Sequence, residues 1–393
     1  MEWYYTLTLL IGGLVAFMLI GLPVVFAFFA INLIGAWFVM GGDNGVLQLM
    51  RNSVQSVQSF ALLPIPLFIF MGEIMFYTGI AARAIDAVDR LIARVPGRLS
   101  LVAIVGGTIF SSLSGSTIAN TAMLSSTLLP EMYKRGYKPS ISIGPIVATG
   151  GLAMLIPPSA LAVLLGSIAL IPISDLLVAS IIPALILATM FFAYVTIRCW
   201  INPAIAPPLG AAASMVAAVF YRKLTWESFR VSVTQTLRFT VMTLFIICGS
   251  TTFSQILSFS EATASLSTLI TQSGLPPMVI IVSMLAVLMF LGCFMDQVSM
   301  MMITAPIFMP MVQQLGYQIV WFGVLMLMTL EISLATPPFG LLLFVAKGAV
   351  PQGTTMRQII VSVTPFIGMA LIVVAIILAF PAVTLVLPSL IQH

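Results

Sequence analysis

Three runs without a charged residue, Tyr4 to Met40, Leu176 to Ile197 and Ile359 to Phe380, decide what solvent this chain can fold in. Each is long enough for the ~20 residues that carry a helix across the hydrocarbon core of a bilayer. All three are apolar on every side and lack the alternation of a transmembrane barrel strand, so they predict helices. The 393 residues are 61% hydrophobic and 7% charged, where soluble domains carry about 25% charged residues. The first charges are Glu2 and Asp43, so the amino end has no basic n-region, and its first apolar run is too long for the h-region of a signal peptide. It is read as part of the mature protein.

Cys199, Cys248 and Cys293 lie in or beside apolar segments without metal-type spacing and read as packing residues. The single histidine is His393, which leaves no HExxH, Ser/His or Cys/His pair and argues against an enzyme. A net charge of +4 could suggest nucleic acid, but the basic residues fall between apolar segments without interleaved aromatics, as topogenic charges do.

The most informative feature is an internal repeat. PEMYKRGY begins at Pro130 and PMVQQLGY at Pro310, so that Gly136 and Tyr137 recur as Gly316 and Tyr317. The same offset carries Pro157 and Pro158 onto Pro337 and Pro338, and Pro96 onto Pro276; an offset larger by two carries Pro183 onto Pro365. Transporters are often built from two such halves. Lysine and arginine in short loops mark the cytoplasmic side. Between Ser59 and Gly166 lie Arg83, Arg90, Arg94, Arg98, Lys134, Arg135 and Lys138, whereas the equivalent window of the second half, Phe239 to Ala346, has no lysine or arginine. Equivalent loops therefore face opposite sides, and the repeats are inverted: 81–98 and 131–139 inside, 261–276 and 311–318 outside.

With Arg98 and Lys134 on one side, the chain between them must enter the membrane and return. Its small, hydroxyl-rich tip SLSGSTIAN suits backbone that leaves the helix at depth only against protein or water. A partner hairpin runs over 278–310, with its tip at Gly292 to Gln297. Each hairpin is followed by a span interrupted by a proline pair, in ATGGLAMLIPPS and in LEISLATPPF. Proline removes a donor and collides with the preceding turn, so each pair unwinds its helix. Freed carbonyls and half-helix ends at the midplane can hold Na⁺ and an anion; a kink with local repacking is the plain alternative. The expected fold is thus an all-α polytopic membrane protein with about ten spanning helices and two re-entrant hairpins. Scaffold helices occupy 1–58. The first repeat covers 59–198, with hairpin 99–130 and broken helix 140–168. A connecting scaffold segment covers 199–238, and the second repeat 239–393, with hairpin 278–310 and broken helix 319–346.

Among polar residues at depth, Asp296 stands out, because an intramembrane acid is costly. It aligns with Ser116 and could ligate Na⁺, fix the hairpin tip by hydrogen bonds, or be a protonated structural acid. Glu331 is a weaker case of the same kind, and Glu73 a capping or pairing group. Arg83, Asp86, Asp89, Arg90 and Arg94 alternate with apolar residues at helical spacing and read as an interfacial helix. The run Met300 to Met302 reads as packing.

These segments in order, PIPLFIFMGEIM with GIAARAIDAVDRL, FSSLSGSTIANTAML, LIPPS, FMDQVSMMMITAPIFMPMVQQLGY and LATPPFGLLLFV, resemble over nearly the whole chain the large membrane subunit of TRAP (tripartite ATP-independent periplasmic) transporters. The resemblance implies an elevator-type protein of the ion-transporter superfold in the bacterial inner membrane. It implies Na⁺ coupling, a small membrane subunit of about four helices, a periplasmic substrate-binding protein, and carboxylate substrates such as C4-dicarboxylates, sialic acid and other sugar or keto acids. Carried over by position, one Na⁺ site would use Ser114 and Ser116 with backbone around Ala153 and Ile156. The other would use Gly292, Ser333, Thr336 and Phe339. Gly115, Asn120, Pro157, Pro158, Asp296, Pro337 and Pro338 are candidates for substrate contact or gating. The alternatives are a self-sufficient divalent-anion symporter of the same superfold and, from another class, an intramembrane hydrolase using Ser114 or Ser116, for which no histidine or lysine at membrane depth is there to activate the serine.

The chain departs from the family in one respect. The second half lacks a counterpart to the span Thr6 to Ile20: Pro207 and Pro208 lead into the apolar run Leu209 to Tyr221, which is short of the ~20 residues that one crossing needs. A crossing there would also put Arg222 on the wrong side. Either this segment turns back, or the chain is one spanning helix short, and the repeat favours the second. The topology itself is testable. Single cysteines at Lys134 and Gln314 should react with a membrane-impermeant thiol reagent from opposite faces, and labelling of both from one face would refute inversion.

Overall fold

The computed structural model of the chain describes residues 3–22, 24–58, 66, 67, 70, 74, 97–114, 117–157, 159–202, 205, 206, 226–262, 265, 266, 268, 269, 274–292, 296–337, 340–350 and 354–391. The expected interfacial helix at 81–96, Glu73, Cys293 and the short segment Leu209 to Tyr221 fall outside these. Among the described residues all regular structure is helical. The path begins with α1 (Trp3–Leu7), a π-helical turn (Thr8–Gly12), α2 (Gly13–Leu19), α3 (Val24–Val39) and α4 (Asp43–Val57). It continues through α5 (Arg98–Ser114), α6 (Thr117–Lys134), α7 (Pro139–Leu155), α8 (Ala160–Ala169), α9 (Ile173–Ala179) and α10 (Ile181–Ile201). After α11 (Trp226–Phe259) come α12 (Pro277–Leu291), α13 (Gln297–Gln314), α14 (Ile319–Leu334), α15 (Leu341–Ala349), α16 (Met356–Ala379) and α17 (Ala382–Ile391). Two continuous stretches, Ile173–Ile201 and Met356–Ala379, are each long and apolar enough to cross a bilayer alone.

The Gly-Tyr pairs of the repeat have a structural cause. α6 ends where Gly136 takes φ +78°, its N–H donating to the Tyr133 carbonyl and that of Tyr137 to the Met132 carbonyl, both at 2.9 Å. α13 ends the same way: Gly316 has φ +79°, donates to Gln313 at 3.0 Å, and Tyr317 donates to Val312 at 3.1 Å. This is the Schellman cap, which needs a left-handed residue that only glycine adopts cheaply. The helix starts keep the same register, because the offset from Pro130 to Pro310 also carries Thr117 and Pro139, which open α6 and α7, onto Gln297 and Ile319, which open α13 and α14. The hairpin limits expected at Pro130 and Pro310 are too short, because α6 runs through Pro130 to Lys134 and α13 through Pro306 and Pro310 to Gln314. A proline inside a helix costs one hydrogen bond and a bend, which packed neighbours can accommodate.

The helices gather into two bodies. In one, α3 and α4 pack on α11: Phe28 meets Phe253 edge to face at 5.4 Å, and Asn32 Nδ2 donates to the Gly249 carbonyl at 2.6 Å. In the other, α7 is held by α5, α6, α10, α14 and α16, and α14 by α7, α9, α12, α13 and α16. Trp321 Nε1 ties α14 to the Ile377 carbonyl of α16 at 3.0 Å. The main contacts joining the bodies are those of α11 with α13 and with α8.

The close approach of α7 and α16 shows what the second body tolerates. A Cβ on Gly144 of α7 would stand 2.4 Å from the Ser362 carbonyl oxygen of α16, whereas one on Gly368 of α16 would meet nothing within 4 Å. We therefore expect Gly144→Ala to destabilise by about 1–3 kcal/mol through overpacking and Gly368→Ala to be neutral or better. Thermal unfolding of the two variants side by side in detergent checks this, and equal midpoints would contradict the packing described.

Candidate functional site

Helix α7 stops at Leu155 because the next donors are missing. The carbonyls of Ala153 and Met154 would be served by the N–H groups of residues 157 and 158, and both are proline. Ile156 leaves the helix in an extended conformation (φ −93°, ψ 119°). α8 restarts under an N-cap in which Ser159 Oγ accepts from the Ala162 N–H at 3.2 Å. The Leu155 carbonyl is recovered by Ser180, whose buried Oγ lies 2.6 Å from it.

The second interruption is tighter. The Ala335 and Thr336 N–H groups donate to the Ile332 and Ser333 carbonyls, both at 3.1 Å, closing α14 with a 3₁₀ turn. Pro338 then has no donor for the Leu334 carbonyl. Ser333 Oγ donates to Leu330 at 2.7 Å and Thr336 Oγ1 to Ile332 at 2.6 Å, so each hydroxyl keeps acceptor lone pairs. Gly340 restarts the chain at φ +24°, where a Cβ would lie 2.9 Å from the Thr336 carbonyl oxygen.

The hairpins close over these interruptions crosswise. α6 of the first packs on α15 beyond the second break, and α13 of the second packs on α8 beyond the first. Gly292 touches the second break directly: a Cβ there would fall 1.8 Å from Ser333 Oγ. Asp296 is the N-cap of α13. Its Oδ2 accepts from the Val298 and Ser299 N–H groups at 3.0 and 3.2 Å, and its Oδ1 from the Ser299 hydroxyl. Of the three roles open to Asp296 in the sequence, these bonds fit hydrogen bonding that fixes the hairpin tip.

The structure thus brings Gly292 against Ser333, sets Pro157 and Ile156 in one interruption and Thr336 and Pro337 in the other, and ends α5 at Ser114. Ala153 sits in the last turn of α7, and Asn120, fully buried, lies one turn into α6. Gly115, Ser116, Pro158, Pro338 and Phe339 lie outside the described residues. Sequence reasoning left out Ser180, and gave too little weight to Glu331, whose Oε2 accepts from Gln297 Nε2. In the register of the repeat Glu331 corresponds to Gly151, and these two residues do meet: a Cβ on Gly151 would lie 3.3 Å from Glu331 Cγ.

Comparison with known proteins bears on this arrangement. The family model described as the DctM component of the tripartite ATP-independent periplasmic transporter matches residues 11–205 and 199–383. The C4-dicarboxylate TRAP transporter large permease protein of Pseudomonas aeruginosa is 27% identical, covering 88% of this chain and 93% of that protein. The ectoine TRAP transporter large permease of Halomonas elongata is 25% identical, covering 98% and 99%. That second alignment runs over 425 positions for a chain of 393 residues, so at least 32 (425 − 393) have no counterpart here. Among solved structures, the Alcanivorax borkumensis YdaH transporter superposes with a TM-score of 0.56 at 12% identity, covering 86% of this chain and 89% of its own, a likeness of fold.

The cap at Asp296 yields a discriminating pair of variants. Serine caps a helix about as well as aspartate, whereas alanine costs about 1 kcal/mol. Asp296→Ser should keep the thermal midpoint and transport, and Asp296→Ala should lower both. Equal loss in the two variants would point to the charge instead of the cap.

Proposed function

Because the chain belongs to the DctM component family of tripartite ATP-independent periplasmic transporters, and is therefore a large membrane permease subunit, we propose that it imports small organic acids across the bacterial inner membrane by Na⁺ symport. A periplasmic binding protein delivers the acid and a small membrane subunit of about four helices completes the scaffold. The observation that carries this reading is the pair of proline-interrupted helices, α7–α8 and α14–α15, each packed against the hairpin of the other repeat.

The donor chemistry fits a hard cation. Backbone carbonyls at Ala153, Met154 and Leu334 have lost their helical donors to proline, and Ser333 and Thr336 offer hydroxyl lone pairs. Ser114, Ser116, Ile156, Gly292 and Phe339 complete the two proposed Na⁺ sites by position. The N-termini of α6 and α13 aim their positive dipole ends at the hairpin tips, where an anionic carboxylate is favoured. Sodium held first would lower the cost of bringing the anion in, and this is the physical content of coupling here.

The movement follows from the packing. The body of α5–α10 and α12–α17 meets the scaffold of α1–α4 and α11 mainly through α11, a division suited to one body sliding past the other with its site aboard, as in an elevator. Hairpin helices of 15 to 18 residues measure about 22–27 Å at 1.5 Å per residue, short of a full crossing, which supports re-entrant arms in oppositely oriented repeats. C4-dicarboxylates and ectoine, named for the two relatives, bound the substrate class to be tried first.

Reconstitution decides between this reading and a self-sufficient symporter. Uptake of candidate acids into proteoliposomes should require both an inward Na⁺ gradient and binding protein, and uptake without binding protein would favour the single-component reading. Ser116→Ala and Thr336→Ala should each raise the Na⁺ concentration for half-maximal uptake by about tenfold, equivalent to ~1.4 kcal/mol. Unchanged Na⁺ activation in both would remove these sites from the mechanism.

A further inference from the structure

Ser180 stands fully buried at the corner where α9 passes into α10, 25 residues along the chain from Leu155. Its backbone N–H donates to the Leu176 carbonyl at 3.2 Å. Its Oγ lies 2.6 Å from the Leu155 carbonyl oxygen and 2.7 Å from that of Leu177. A hydroxyl has one proton to give. Leu177 belongs to the same continuous helical stretch as Ser180, Ile173–Ile201. The residue that would serve Leu155 in a continued helix, Ser159, is instead extended and opens α8. The proton therefore goes to Leu155, where its loss would leave a buried acceptor unmet.

That bond pins one particular peptide. Across the link from Leu155 to Ile156, the Ile156 N–H donates to the Leu152 carbonyl at 3.2 Å, and the Leu155 carbonyl accepts from Ser180. Both polar ends of one planar group are thus held, one by α7 itself and the other by the α9–α10 corner. On either side of this peptide lie the two backbone groups assigned above to the first Na⁺ site, Ala153 and Ile156. The second interruption is held otherwise: the Ala335 and Thr336 N–H groups and the Ser333 and Thr336 hydroxyls all bond within their own turns. The offset that carries Pro183 onto Pro365 also carries Ser180 onto Ser362. Ser362 Oγ, however, donates to the Gln358 carbonyl at 2.6 Å, within α16. One serine of the equivalent pair clasps an interruption, and the other stays on its own helix.

We propose that Ser180 is a positioning residue for the first Na⁺ site: by holding the Leu155 carbonyl it fixes the peptide between Ala153 and Ile156, so that the carbonyls the ion would use keep their direction while the site is empty. Ser180 acts on the ion only through that peptide. Oxygens already aimed need no ordering when the cation arrives, and this is the source of the affinity gained. The first site is built against the α9–α10 corner, whereas the second stands on its own turn. This proposal rests on the Na⁺-coupled reading above.

The experiment is a thermal-unfolding titration of the purified full chain in detergent, NaCl replacing choline chloride at constant ionic strength. Ligand that binds only the folded state raises the midpoint, so the wild-type midpoint should rise with Na⁺. Ser180→Ala removes one buried oxygen and should displace part of that rise to about tenfold higher Na⁺. Ser180→Thr, which keeps the hydroxyl, should restore it, and Ser362→Ala should titrate as wild type. A lower midpoint in choline with an undisplaced Na⁺ titration in Ser180→Ala would mean a structural bond only and would overturn the positioning role, leaving the coupling intact. The same displacement in Ser362→Ala would overturn it too. A wild-type midpoint indifferent to Na⁺ would overturn the positioning role and the coupling together. Should the added methyl of Ser180→Thr prevent folding, the contrast between Ser180→Ala and Ser362→Ala decides.

Discussion

Lipid offers a backbone no hydrogen bonds, so every helix in this molecule must either satisfy its own carbonyls or find other donors for them. The two proline pairs violate that requirement at equivalent places, and much of the second body is arranged around the consequence. Ser180 supplies a hydroxyl to Leu155. The chain beyond Leu334 winds into a 3₁₀ turn, and Thr336 turns its hydroxyl back on Ile332. The hairpins exist to cover what is left, since a broken helix facing acyl chains would not persist. The crosswise packing, α6 on α15 and α13 on α8, places each cover over the other repeat's defect. Neither repeat is complete alone.

Much of this could be read from residue order because the features are local. A proline pair within an apolar run interrupts a helix whatever surrounds it, and a Gly-Tyr pair at a helix end reports a left-handed cap. Gly136 and Gly316 adopt it at φ +78° and +79°. What escaped was non-local or permissive. Ser180 reaches back to Leu155 from beyond α8 and α9, with no spacing rule to reveal it. Pro130 and Pro310 bound the expected hairpins, but each lies inside a helix that runs on past it. Asp296 drew attention as a charge at depth, while its working contacts are the amides two and three residues on, those of an ordinary N-cap.

The repeats differ where they touch. Gly151 and Glu331 occupy equivalent positions on α7 and α14 and face each other. The glycine gives the room that the carboxylate fills. Two identical halves could not do this, since two acids would repel at such range and two glycines would leave a void. The departure from symmetry at one residue pair is therefore also what lets the helices approach, and it leaves one buried carboxyl group between them.

The order of the helices along the chain has a consequence for biosynthesis. α3 leaves the ribosome early, but the partner that buries its Asn32 and Phe28 is α11, which starts at Trp226. At 5–20 residues per second, the intervening chain takes roughly 10–40 s to be made. Throughout that interval the Asn32 amide sits among lipid or insertion machinery without the Gly249 carbonyl, and the aromatic face of α3 is uncovered. Only the first half of the second body, α5–α10, is made in the meantime, and α12–α17 follow α11. The nascent chain must therefore hold its first helices in waiting until the last part of the scaffold arrives.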